Sequence, residues 1–372
     1  MVGFDERRLL AAASAHLQVD EPLEAAFRPA FRALVTSLRE QAQLSQVGAW
    51  RAGARLITAL GQRVALAAFE RDTPELASVD LGAPIFITGL PRASTNLLHN
   101  LLARTPGLWA PRLWELRHPI PPARIDEAWI DHQIRNTEAF LDQLYEAVPE
   151  FRRLHPLAAT SPEACSWLFR ASFSSLIHAF HWYVPDYVEF MLGAELEPAY
   201  RDHRRFVRVL AHRHRHDDLA GPRIVLEDPW HMWQLETLLS VYPDARVIVV
   251  HGEREQVLES LARACWTLQQ VDAKRPRTPA QIRSYCEAFL DAGLAAQAQA
   301  RARLDGGRLI DVAHAELVAD PLAVLRRLAP RLQLPVNTLG QGEAARWLAN
   351  ERALGERSAA RPGAAKRATL RA

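Results

Sequence analysis

Between Pro84 and Ala103 the chain carries the residue types that an anion site requires. Ile85, Phe86 and Ile87 read as a short buried strand, Gly89 and Pro91 shape a turn, and apolar residues from Asn96 to Ala103 recur at helical spacing. A helix N-terminus presents unpaired N–H groups and the positive end of a dipole, so phosphate or sulfate docks there. Arg92 is the one cation of the loop, with Ser94, Thr95 and Asn96 as neighbouring donors. The G-x-x-x-x-G-K-[ST] spacing of nucleotide triphosphatases is missing, and the chain's two lysines, Lys274 and Lys366, are remote from this loop in sequence. Taken alone, the segment fits the strand, turn and helix of any α/β domain equally well.

Proton chemistry has separate candidates. Glu115 follows Trp114 in a Pro-rich stretch from Pro106 to Pro122, where aromatic neighbours that exclude water raise a carboxyl pKa toward neutrality. The plainer reading is an ion-pair partner for Arg112 or Arg117. Glu227 and Asp228 adjoin, with Trp230 and His231 close behind, and two carboxyls whose pKa values are pushed apart divide acid and base roles. His155 stands as a single histidine, a type more often structural than catalytic. The alternating run His212 to His216 reads as a solvated helix end, and no His, Asp or Glu set has a convincing metal-ligand spacing. Cys165, Cys265 and Cys286 lack Cys-x-x-Cys spacing and read as packing thiols.

These groups need a scaffold. Residues 4 to about 72 show apolar positions at intervals of three or four, residues 72 to 83 form a linker with Pro74 and Gly82, and helices run from about 124 to 215. Trp167, Phe169, Phe173, Phe180, Trp182 and Tyr183 fall in that helical stretch and read as core. Further strands are expected at Arg223–Leu226, Arg246–Val250 and Arg308–Val312, each leading into a helical pattern. Alternation of this kind predicts an α/β fold, a parallel sheet flanked by helices with right-handed crossovers and ligands at the carboxyl edge.

At 372 residues the chain is long enough for a substantial core, and its net charge of +2 gives no global reason to expect nucleic acid. No long uncharged apolar run suggests a membrane span, and Asp5, Glu6, Arg7 and Arg8 occupy the place where a signal peptide is apolar. The expectation is a cytoplasmic protein acting on a small molecule, with homo-oligomerisation left open.

Laid beside the rest of the chain, the loop resembles the G-x-P-R-[ST]-G-[ST]-[ST]-L-L loop of the PAPS-dependent sulfotransferases, in the branch of many bacterial enzymes and, more distantly, the tyrosylprotein sulfotransferases. PAPS is 3′-phosphoadenosine 5′-phosphosulfate. Matches follow in the family's order: Leu113-Trp114-Glu115 with Pro119, Pro121 and Pro122; His155, then Pro162-Glu163-Ala164-Cys165; Asp228 to His231; Tyr242 to Val247; Ser260; and Glu316 to Pro321. The resemblance covers about residues 80 to 330. It implies a P-loop-type sulfotransferase-like α/β domain over 79–335 with the helical insertion at about 124–215. A helical subdomain over 1–78 packs on it, and residues 336–372 form a C-terminal helix and a mobile Arg/Ala-rich tail. It implies PAPS as donor, held by Arg92, Ser94, Thr95, Asn96 and Ser260, with Glu115 as base and Trp114, His155 and Trp230 lining the acceptor pocket.

Five positions depart from the family, one of them Ala93, which replaces a hydroxyl residue of the loop. Glu227 stands where a lysine reaches the sulfuryl group. Gly252 replaces the arginine that holds the 3′-phosphate together with Ser260, leaving Arg254 as the nearest substitute. Ser94 replaces a loop glycine, and Asn96 replaces a threonine. A unit charge about 4 Å from another interacts at roughly 4 kcal/mol in an effective dielectric of 20, so a reversal from Lys to Glu weakens donor binding by several kcal/mol if the Glu is ionised. Three readings follow from this. The first is sulfuryl transfer from PAPS through a modified donor site. The second is a donor-free acid/base enzyme using Glu115, Glu227, Asp228 and His231 for cyclisation, dehydration or isomerisation. The third is a non-catalytic scaffold.

Overall fold

The computed structural model describes residues 4–17, 25–122, 125–214, 223–304, 306–334 and 342–350. Five strands, β1 (Ile85–Gly89), β2 (Leu108–Trp109), β3 (Arg223–Glu227), β4 (Arg246–His251) and β5 (Leu309–Ala313), form one sheet in the order β2-β3-β1-β4-β5. Every pairing is parallel. Each residue of β1 is buried, because helices cover both faces of a parallel sheet, and this is why Ile85, Phe86 and Ile87 are continuous rather than alternating.

Crossovers leave β1 toward β2 and β3 on one side and reach β4 and β5 on the other. That reversal opens a cleft at the carboxyl end of β1, flanked by the ends of β3 and β4. Gly89 closes β1 at φ +134°, and a Cβ there would lie 2.1 Å from the carbonyl oxygen of Val250. Only glycine lets the chain turn so close to β4.

The N-terminal pattern becomes the helices Glu6–Leu17, Arg28–Glu40 and Gln46–Asp72. Phe31 and Leu34 are buried, and the Phe31 ring meets that of Phe173 at 4.6 Å between centroids, fastening this region to the helical insertion. Ser45 caps the longest of the three by accepting from the Gly48 amide. The insertion is less regular than its apolar spacing suggested. Two long helices, Glu127–Ala147 and Glu197–His214, bracket short pieces at Phe151–Leu154, Ser166–Phe169, Ile177–His181 and Pro185–Gly193. Pro149, Pro156 and Pro162 interrupt the helical hydrogen bonding between them.

Two local expectations are corrected. The Pro-rich stretch after the loop helix contains β2, two residues that pair with Arg223 and Ile224 at the sheet edge. The linker before β1 contains a 3-10 turn at Pro74–Ser78. Residues 343–350 are helical, while the tail from Arg357 to Ala372 lies outside the described residues. Among the described residues no helix is long and apolar enough to cross a membrane.

Candidate active site

At the carboxyl edge, the loop after β1, the segment after β3 and the helical insertion enclose a cavity of about 250 Å3. Arg92, Ser94, Thr95 and Asn96 form one wall, and Glu227, Asp228 and Trp230 form the floor. Apolar side chains of the insertion, Phe140, Leu144, Trp167 and Phe180 among them, complete it. Trp167 and Phe180, expected in the core, thus face the cavity as well.

The loop wall is held in an unusual backbone. Arg92 has φ 68° and Ser94 φ 64°, both left-handed. This is the conformation that glycine adopts freely and that costs other residues about 1 to 2 kcal/mol. Ser94 is the N-cap of the helix Thr95–Leu102, and its side chain makes no capping bond. Arg92 Nε donates to Ser260 Oγ at 3.2 Å, and a second guanidinium nitrogen donates to the Leu154 carbonyl. Burial lowers the Arg92 pKa, and the charge of Glu163 opposes that shift. The Asn96 amide oxygen accepts from Asn100 at 2.6 Å.

Three buried carboxyls face this wall. His155 Nε2 is 3.2 Å from Glu163 Oε1. Burial raises the Glu163 pKa, but the charge and hydrogen bond of His155 outweigh it and hold the group below its usual range. Burial drives the Glu227 carboxyl well above its usual value; the Thr95 hydroxyl opposes this by hydrogen bonding, and Asp228 and Glu163 add to it. Burial thus favours the protonated form of Glu227. Burial pushes Asp228 up to about 7, against the Trp230 amide that donates to its carboxylate at 3.0 Å, with Glu163 adding repulsion.

His231 lies behind this floor. Its Nδ1 shares a 2.7 Å hydrogen bond with the Tyr200 hydroxyl and its Nε2 lies 3.3 Å from Cys165 Sγ, all three residues being buried. Burial holds the imidazole well below its usual pKa, so it is neutral. It lines a smaller cavity of about 90 Å3 that shares Asp228 and Trp230 with the first. Cys165, Asp228 and His231 place one potential ligand atom each within 4.8 Å of one another, a grouping that sequence spacing did not suggest.

Glu115 requires correction. It is 2% exposed, lies outside the cavity, and binds Arg213, His214 Nε2 at 2.8 Å and the Arg112 amide at 2.7 Å. Burial opposes its charge, yet the His214 hydrogen bond and the charge of Arg213 hold its pKa down to about 2. A carboxylate so stabilised is a poor proton acceptor at pH 7. Trp114 is buried beneath Arg213, 4.8 Å from its guanidinium, and not in the pocket. The His212–His216 run is likewise no simple solvated end, since Arg213 is buried and His214 binds Glu115; residues 215 and 216 lie outside the described residues. Arg254 does not reach the site either. Its guanidinium binds Asp291 at 2.7 Å and Glu287 at 3.0 Å. Gly252 packs against the loop, where an added Cβ would lie 3.3 Å from that of Ala93.

The structure therefore brings together Arg92, Ser94, Thr95, Asn96, His155, Glu227, Asp228 and Trp230 around one cavity, with Ser260 bonded to Arg92. It adds Glu163, which stood inside a quoted motif without a role, and His181. Sheet order, the left-handed loop after β1 and the cleft at the reversal point define an α/β protein of the P-loop-type fold class.

Residues 84–338 match the profile described as the Sulfotransferase family, and the chain belongs to that family. The sulfotransferase STF1 of Mycobacterium tuberculosis H37Rv is similar at 26% identity over 95% of this chain and 94% of that one, with a TM-score of 0.80. The sulfotransferase STF9 of Mycobacterium avium shares the fold at 21% identity, covering 93% of this chain and 88% of that one, with a TM-score of 0.79. No match is found among curated proteins.

Proposed function

We propose that the protein transfers a sulfuryl group from PAPS to the hydroxyl of a small molecule through a donor site in which charge neutralisation is reduced. The observation that carries this reading is the Arg92–Ser260 contact beside the amide end of the loop helix, facing a Glu227 whose carboxyl burial shifts toward the protonated form. A neutral carboxylic acid does not repel the donor as a carboxylate would, and its O–H is a hydrogen-bond donor at the position where relatives carry a lysine. PAPS would supply the activated sulfuryl group. Thr95 and Asn96 amides with Arg92 would hold its 5′ end, Ser260 would serve the 3′ side without a partner arginine, and Asp228 would take the acceptor proton. With its pKa near 7, Asp228 suits that task better than Glu115.

The adjoining Glu227 and Asp228, both raised by burial, favour one alternative, a proton-transfer enzyme that needs no donor. Incubation with PAPS labelled in its sulfuryl sulfur, against a panel of phenols and alcohols, separates the two. Label transferred to an acceptor, dependent on Arg92 in the comparison with Arg92→Gln, supports the first reading. Absence of transfer across the panel, together with no PAP formation from PAPS, favours the second.

A further inference from the structure

A second cavity, of about 330 Å3, adjoins the first and shares Phe140, Leu144, Trp167 and His181 with it. Its character differs sharply from that of the carboxyl-lined floor. Arg51, Arg55, Arg117 and Arg170 line it, with His118, and Trp50 stands 74% exposed among its lining residues. Arg117 lies 3.8 Å over the Phe140 ring and Arg170 lies 4.8 Å over that of Trp167, so the shared aromatic walls orient both guanidiniums.

The cluster is short of counter-charge. Asp272 is its one ion-pair partner among the described residues, 3.4 Å from both Arg51 and Arg55 and also bound by the Trp182 indole at 3.1 Å. Arg117 and Arg170 have no carboxylate partner among the described residues. Arg117 Nε and His118 Nε2 are buried without a hydrogen-bond partner. Burial, with repulsion from neighbouring arginines, lowers Arg170 to about 9 and Arg117 to about 10. Like charges crowded around an open cavity, with donors unspent, are arranged for an anion that arrives from outside.

We infer that this second cavity binds the carboxylate, sulfate or phosphate end of an amphipathic small molecule, whose apolar body passes Phe140 and Trp167 into the main cavity. The anion site itself stands on geometry alone. That its occupant is the acceptor rests on the transfer reading above, and it makes the substrate an anionic compound whose hydroxyl lies at the far end of an apolar body. Trp167 and His181, on the shared wall, then connect the charge-reading end to the reacting end.

Fluorescence titration with 8-anilinonaphthalene-1-sulfonate, beside its uncharged relative N-phenyl-1-naphthylamine, tests the site without any turnover. Failure here with sulfuryl transfer intact would remove the anion site and leave the transfer reading standing. The wild-type protein is expected to bind the sulfonate about tenfold or more tightly than the neutral probe. Arg117→Gln and Arg170→Gln each lower sulfonate affinity by about tenfold and leave the neutral probe within roughly twofold, while Arg170→Lys retains more than Arg170→Gln. Where loss of a stacked guanidinium disturbs the fold, Arg51→Gln, further from the shared wall, carries the test with a drop of about threefold. Equal affinity for the two probes in the wild type, or unchanged sulfonate binding in all three glutamine variants, overturns the inference. Complete displacement of the sulfonate by inorganic sulfate at equal concentration overturns the requirement for an apolar body.

Discussion

Asp228→Asn is expected to lower the rate of sulfuryl transfer by about 10²- to 10⁴-fold, the usual contribution of a positioned general base. Asparagine keeps the side-chain oxygen that accepts from the Trp230 amide, so the turn after β3 and the cavity floor remain in place. What disappears is the proton acceptor. Because burial raises the carboxyl to about 7, Asp228 is protonated at pH 6 and ionised at pH 8. The wild-type rate at saturating substrates therefore rises with pH through that region and levels off above it, and the variant's residual rate lacks this inflection. A pH–rate profile that keeps its inflection in Asp228→Asn, or a variant rate within about fivefold of wild type, would assign the base elsewhere, with Glu163 and His155 next in the cavity.

The second large effect falls on stability. Glu115→Gln leaves Arg213 buried without its counter-charge and is expected to destabilise the fold by about 3 to 5 kcal/mol, the range for removing one partner of a buried pair. The remaining folded protein keeps its transfer rate, because Glu115 lies outside the cavity. Urea unfolding monitored by tryptophan fluorescence measures the loss. The pH dependence has a definite sign. A carboxyl whose folded pKa is about 2 and whose ordinary value is 4.5 contributes stability that is fully present above about pH 4.5 and lost as pH falls toward 2. The size of that contribution is about 3 kcal/mol. Wild-type stability that stays level between pH 5 and pH 2.5, or a variant that unfolds like wild type but no longer transfers, would restore Glu115 to the catalytic role its sequence context suggested.

Much of the scaffold was legible in the chain because it is written in periodicity. A continuous apolar run such as Ile85–Ile87 is what a strand buried on both faces requires, and the strands at Arg223, Arg246 and Leu309 were each found within one residue. The two-residue β2 was not, since Leu108 and Trp109 owe their pairing to β3, more than a hundred residues away. The loop residues Arg92, Ser94, Thr95 and Asn96 were legible as a contiguous motif. So were Glu227 and Asp228, which end a recognisable strand. Glu115 misled because a Trp-Glu pair in a Pro-rich turn suggests partial burial but says nothing of Arg213 and His214, about a hundred residues on, that stabilise its charge. Arg254 misled for the converse reason. Its distance from Gly252 along the chain is short, but it begins a helix whose neighbour presents Asp291 and Glu287, and that pairing turns it outward. The arginine cavity was invisible in the sequence, since Arg55, Arg117 and Arg170 come from three separate helical segments.

In the sequence, the sign reversal at Glu227 implies donor binding weaker by several kcal/mol if the carboxyl is ionised. Its burial bears on that arithmetic, since the several kcal/mol of repulsion apply only to the ionised form and burial shifts the group toward the protonated one. A Cβ at Gly252 would lie 3.3 Å from that of Ala93, and Arg254 is engaged by Asp291 and Glu287, so on the proposed reading Ser260 alone would serve the 3′ side of the donor.

Donor binding is accordingly the measurement that decides most. Calorimetric titration of the purified protein with PAP, the desulfated donor product, should give a micromolar dissociation constant at pH 6, weakening by roughly tenfold at pH 8 as Asp228 ionises beside the bound anion. Absence of binding at millimolar PAP at pH 6 would contradict sulfuryl transfer through this cleft.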